Sequence, residues 1–197
     1  MIFRAMEKRL SNKTHAFSLV ITLLFVLRIT DLAITFHYTP DLNHEFNPLV
    51  SFFGASWSTF ILFQFLLFCM ISTFIYFFFF HERFSVDIKG LPFSDFVYYY
   101  FHGEIKPFHK RFSVFPKYYR RHLAFNGFIL MILSIAVSIY AIIHNTLLVN
   151  EVEWYIELIR YHYKPVFTIL LLSGVIVSAY SFFLMEYNYY KCGKQLY

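Results

Sequence analysis

Apolar residues gather into four long runs, at about 14–36, 57–80, 123–143 and 165–185, separated by segments that carry nearly all the charge. A hydrocarbon core about 30 Å thick takes about 20 helical residues, and each run meets that length. The run STFILFQFLLFCMISTFIYFFFF contains no charge at all. The first run follows the basic stretch Arg4, Lys8, Arg9, Lys13, which is how a secretory signal begins. It is nevertheless long, contains Arg28 and Asp31, and lacks a small-residue cleavage pattern, so it reads as a retained helix. The fourth run begins at Pro165, where a missing N–H costs a helix start nothing. The pattern therefore predicts a single all-α membrane domain over 1–197, a four-helix transmembrane bundle.

Composition agrees with that pattern: of 197 residues, 58% are hydrophobic and 15% charged, and the mean hydropathy is +0.53. Such a chain is too apolar for an ordinary soluble domain. The 28 Phe and 16 Tyr suit lipid contact and the two interfaces. Cys69 lies in an apolar run and Cys192 in the tail, so a disulfide is not expected, and neither has metal-ligand spacing.

Charge gives the orientation. The N-terminal arm carries four Lys or Arg, the loop 81–121 carries eight and the tail two, whereas the opposite side carries Arg160 and Lys164. The positive-inside rule then predicts both termini and the loop 81–121 in the cytoplasm. A bacterial inner membrane is the expected location, with an organellar membrane as the alternative. The basic and aromatic loop FSDFVYYYFHGEIKPFHKRFSVFPKYYRR could stack on nucleic-acid bases. Its interruptions at Gly90, Pro92, Gly103, Pro107 and Pro116 fit better with short segments at the headgroup level, Tyr and Phe inward and Lys and Arg on anionic lipid. The lipid bilayer is thus the expected partner, and nucleic acid is not.

Candidate chemistry begins inside the first run. A charge in the membrane costs at least roughly 2.5–3.5 kcal/mol on insertion scales, so Arg28 and Asp31 need a reason. Residues three apart share a helix face, and Thr35 continues that face. Either the pair pins helix packing, or Asp31 is a proton or cation site. The following loop, HYTPDLNHEFNPLVSFFGAS, adds His37, Asp41, His44, Glu45 and Asn47. His37, His44, Glu45 and, from the second outer loop, His144 are the types of ligand a divalent metal takes, although their spacing is that of no known zinc motif. The alternative is a polar loop in which Glu45 and Asn47 cap a short re-entrant or interfacial helix at about 48–55, entered through Pro48. No cofactor is predicted, and a divalent metal is the one the residues leave open.

Asp31, Thr35 and Glu45-Phe46-Asn47-Pro48 together resemble the signature of an uncharacterised family of small prokaryotic multi-pass membrane proteins, Asp-x-x-x-Thr followed after about ten residues by Glu-x-Asn-Pro. The resemblance covers about 14–60. It implies that Asp31, Thr35, Glu45, Asn47 and Pro48 act as one unit, with the Asn-Pro turn folded back toward Asp31. In place of the Gly usual in that interval the chain has Thr39-Pro40-Asp41.

The second outer loop, 144–164, carries Glu153, Glu157 and Arg160 at i, i+4 and i+7, which predicts a short amphipathic helix. Ser134 with Ser138, and Gly174 with Ser178, are small residues four apart that let helices approach closely. No nucleophile elbow, His-Glu-x-x-His or phosphate-cradling loop is present. Three functions remain open: a membrane scaffold or accessory subunit with a membrane-protein partner or second copy, an ion- or proton-handling protein using Asp31 and Glu45, and a metal-dependent membrane enzyme.

Overall fold

The computed structural model describes residues 2–42, 54, 56–81, 88, 90–107 and 116–192, with the side chains at 2–11, 160–164 and 192 outside that description. The described residues form five helices and no strand: α1 (Ile2–Tyr38), α2 (Trp57–Phe80), α3 (Phe93–His102), α4 (Tyr119–Val149) and α5 (Glu153–Cys192). Four stretches are long and apolar enough to cross a membrane: Asn12–Tyr38, Trp57–Phe80, Tyr119–Val149 and Pro165–Lys191. The second coincides with the expected run, because a charge-free run leaves hydropathy no ambiguity about its ends.

The other helices outrun their apolar cores. Residues 144–149, expected in a loop, complete α4, and the connection to α5 shrinks to 150–152, with Glu151 at φ 51°. The expected short helix around 153–160 is real, but it is continuous with the span behind it. Pro165 consequently lies inside α5 and does not start it. The helix begins early because Tyr155 is buried against the end of α4, and membrane helices tolerate proline. The helix expected at 48–55 falls on residues outside those described, apart from Gly54.

The long helices alternate in direction. Ring contacts pair Phe36 with Trp57 and Phe17 with Phe80 along antiparallel α1 and α2. Phe125 meets Phe183 along antiparallel α4 and α5. One end of the structure thus holds the end of α1, the start of α2 and the α4–α5 connection, here called the hairpin end. The terminal end holds the start of α1, the end of α5, and α3. At the hairpin end, the Trp57 indole donates to the Pro40 carbonyl at 2.7 Å, tying the start of α2 to the turn after α1.

α4 is the central helix, packed by α1 and α2 on one side and α5 on another. Leu24, Ile71, Ile75 and Met131 form the buried cluster between α1, α2 and α4. The closest approach is at Gly127: a Cβ there would lie 2.7 Å from the Phe74 carbonyl carbon and closer still to its oxygen. The small residues expected to serve packing do so at Ser134, Ser138 and Ser178, all buried, and at Gly174, which sits against Leu133. Ser181 is exposed.

Of the aromatic stretch expected at the lipid headgroups, α3 packs onto α5, and residues 108–115 lie outside those described. Phe96 and Tyr100 of α3 are buried with Phe182 and Phe183 of α5. Rings of Tyr187 and Tyr190 lie 5.3 and 5.2 Å from Phe96. The Tyr187 and Tyr190 hydroxyls donate to the carbonyls of Leu91 and Ile88, while the Leu91 N–H donates to Tyr190. α3 ends at Gly103 in the left-handed region, φ 69°, with the Tyr118 ring where a side chain would go. Arg121 then closes the end of α3, donating to the Tyr100 carbonyl at 2.8 Å and lying 4.0 Å over the Tyr118 ring. Lys106, beside Glu104 at 2.7 Å, holds the Glu104 carboxyl below the usual carboxylate range.

Candidate functional site

Successive turns of α1 place Leu24, Arg28, Asp31 and Thr35 on one face, and that face meets α4 and α2. Asp31 lies seven residues before the end of α1 at Tyr38, about 10 Å into the span at 1.5 Å per residue. Arg28 Nη1 approaches Asp31 Oδ2 at 3.7 Å, and the two side chains are 21% and 17% exposed. The second carboxylate oxygen, Oδ1, accepts from the Asn145 amide at 3.3 Å, and the same amide donates to Thr35 Oγ1 at 3.1 Å. Thr35 is buried, as is Thr39, whose hydroxyl and N–H both donate to the Thr35 carbonyl.

The arrangement is a short polar chain, Arg28 to Asp31 to Asn145 to Thr35, that crosses from α1 to α4 and returns. An amide suits this position. Its two N–H groups serve two acceptors at once, and an amide donor adds no charge next to the carboxylate. A hydrocarbon core has no water to do the same.

Beside this cluster, His144 turns to the other side of α4. It is buried, its Nδ1 lies 2.6 Å from the Tyr155 hydroxyl, and the Tyr140 ring stacks on it. This contact joins α4 to the start of α5. His37 is exposed. His44, Glu45, Asn47 and Pro48 lie outside the described residues, and with them the fold-back of the Asn-Pro turn toward Asp31. Among the described residues, no three His, Cys, Asp or Glu side chains gather as a metal would require. Glu151, Glu153 and Glu157 are exposed.

The sequence reading missed two features. Hydropathy counts Asn145 with an outer loop, although Gly127, Met131, Ser134, Ser138 and Asn145 recur at helical spacing on one face of α4, a signal that extends the helix. The second is at the terminal end. His81, at the end of α2, and Glu186 of α5 come within 3.9 Å, with side chains 6% and 2% exposed. His81 Nδ1 is also 2.7 Å from the Phe78 carbonyl. Glu186 falls one position beyond the run expected to end at 185, which hid it.

Fold and site together define the class: an all-helical chain with four helices long and apolar enough to cross a membrane, carrying a charged and amide-bonded cluster within the spans. No protein-family model matches the chain, and no curated protein or solved structure matches it.

Proposed function

We propose that this protein is a small integral membrane scaffold or accessory subunit, whose intramembrane polar cluster fixes α1 against α4 and so presents the outer faces of the helices to a membrane partner. The observation that carries the reading is the closure of the cluster on itself. Both Asp31 oxygens have partners within the chain, an amide at 3.3 Å and a guanidinium at 3.7 Å. A carboxylate held in this way is a structural pin in the first instance. The excess of Lys and Arg at the terminal end supports a topology with both termini inside, as in a bacterial inner membrane.

A second reading rests on the length of the Arg28 contact, which exceeds a charge-assisted hydrogen bond of about 2.7–2.9 Å. A loosely held Asp31 is what a proton- or cation-handling protein would need. The metal-enzyme reading would require His44 and Glu45 to approach His37 and the Nε2 of His144, whose Nδ1 meets Tyr155.

The deciding experiment compares the wild type with Asp31→Asn, both purified from membranes and reconstituted in proteoliposomes. A scaffold shows no proton or cation flux in either form, loses stability on substitution, and co-purifies with a larger complex. Flux in the wild type that Asp31→Asn abolishes, with fold and expression unchanged, would refute the scaffold and establish ion handling.

A further inference from the structure

Arg28 lies ten residues from the end of α1 at Tyr38, about 15 Å at 1.5 Å per residue, and so near the midplane of a core about 30 Å thick. Among the described residues its one ion pair is with Asp31. Three buried side-chain oxygens without a hydrogen-bond partner lie on the neighbouring helices, Gln64 Oε1 and Ser72 Oγ on α2 and Ser138 Oγ on α4; Gln64 and Ser138 are the pair at the height of Arg28. Ser138 is wholly buried. In a medium without water an unbonded polar atom is costly, so Gln64 Oε1 calls for a donor and Ser138 Oγ, which can also accept, for a partner.

Register places that donor. Along antiparallel α1 and α2, Phe25 meets Phe68 and Phe36 meets Trp57, so the position opposite Gln64 is Ile29, beside Arg28. Along α4, Asn145 meets Asp31 and Thr35, and seven residues back along both parallel helices Ser138 stands level with 24–28. The approach of Gly127 to Phe74 gives the same answer. Eleven residues on from Gly127 is Ser138, and ten back from Phe74 is Gln64, so the two sit at one height.

Faces agree with heights. Gln64 shares its face of α2 with Phe60, Ile71 and Ile75, and Ser138 shares its face of α4 with Met131 and Asn145. Packed helix axes lie about 8–10 Å apart, a distance that the long arginine side chain spans.

We propose that the Arg28 guanidinium has two seats inside the membrane: the Asp31 carboxylate, which it occupies in this structure, and an inner seat formed by Gln64 Oε1 and Ser138 Oγ. In the inner seat it donates to two acceptors that otherwise stay unbonded. Asp31 is then held by Asn145 alone, with one carboxylate oxygen open for another donor or cation. The guanidinium remains partnered in both positions, which is what allows a charge to move at this depth. This inference stands independently of the scaffold reading, because it concerns which acceptors Arg28 uses and not what binds the outer faces.

A double-mutant cycle tests it. Asp31→Leu removes the outer seat, and Gln64→Leu with Ser138→Ala removes the inner one. With two seats, either loss alone leaves Arg28 an acceptor, and the combination leaves none. The unfolding equilibrium in mixed detergent micelles should then shift at least tenfold beyond the product of the separate shifts. The excess should vanish when Arg28→Leu is present throughout. Shifts that multiply to within about twofold, as for sites with no shared partner, overturn the proposal. Should the combined variant not accumulate, thiol pairs replace it, in a chain carrying Cys69→Ser and Cys192→Ser. Arg28→Cys with Gln64→Cys, and Arg28→Cys with Ser138→Cys, should each be bridged by mercuric ion in membranes. Failure of both, while Asp31→Cys with Asn145→Cys is bridged, equally overturns it.

Discussion

Gly127→Ala is the sharpest test of the packing, because two effects of known size oppose each other there. In a helix interior Ala is favoured over Gly by about 0.8–1.0 kcal/mol, so propensity alone makes the variant more stable. The structure predicts the reverse. The added Cβ would lie 2.7 Å from the carbonyl carbon of Phe74, nearer still to its oxygen, and 3.2 Å from Phe78 Cβ. Carbon atoms pack at about 3.5–4.0 Å, so α2 and α4 would have to part by about 1 Å. Backbone cannot rotate away as a side-chain tip can, and the parting loosens the Ile71, Ile75 and Met131 contacts beside it. Overpacking of this kind costs about 1–3 kcal/mol, sometimes more. Because the Cβ meets backbone, the upper part of that range applies, about 2–3 kcal/mol; less the gain in propensity of about 1 kcal/mol, the net loss is about 1–2 kcal/mol, roughly 5–30-fold in the unfolding equilibrium. Titration with a denaturing detergent in mixed micelles, followed by circular dichroism, measures it. Ala136→Gly, on the exposed side of the same helix, supplies the propensity scale in this membrane context. A Gly127→Ala protein as stable as the wild type, or more so, would show that α2 and α4 do not meet at this glycine.

Three further substitutions probe the contacts between helices. Asn145→Leu removes the amide that holds Asp31 and Thr35; with interhelical hydrogen bonds in membranes averaging about 0.6 and reaching about 1.7 kcal/mol, a loss of about 1–3 kcal/mol is expected in the same titration. Gly174→Ala is the control for close approach. Its neighbour at 2.9 Å is Leu133 Cδ2, the end of a flexible side chain, so stability should stay within about 0.5 kcal/mol or rise. Tyr155→Phe deletes the 2.6 Å bond to buried His144; the expected cost is about 1–2 kcal/mol, with hydrogen exchange speeding first around 150–156.

How far the sequence discloses the fold depends on what each stretch faces. Trp57–Phe80 could be read to the residue, because its run is apolar from end to end. α4 could not, because hydropathy assigns His144 and Asn145 to water, whereas both turn toward other helices. A preference of proline for helix starts places the beginning of α5 at Pro165, and packing at Tyr155 overrides it. In α3, the run of Tyr and Phe with few polar residues describes a lipid interface and a protein interior equally well. Only the register of Phe96 and Tyr100 against Phe182 and Phe183 separates the two, and that register is set by residues more than eighty positions away.

The candidate site divides in the same way. Arg28, Asp31 and Thr35 are visible because charge in an apolar run is costly and their spacing is local. Asn145 is invisible as a partner because it lies 114 positions from Asp31. Glu186 is invisible because a carboxylate at the edge of a run looks solvated, yet its side chain is 2% exposed. These contacts share a consequence. Asp31 with Asn145 ties α1 to α4 at the hairpin end, and His81 with Glu186 ties α2 to α5 at the terminal end. Each joins the α1–α2 hairpin to the α4–α5 hairpin. Lipid tails are as apolar as leucine and give no hydrophobic reason for two hairpins to meet in one orientation. Polar contacts at both ends, 3.3 and 3.9 Å long, supply that reason. A rotation of one hairpin on the other breaks both contacts, so these few side chains, together with the close approach at Gly127, set the orientation.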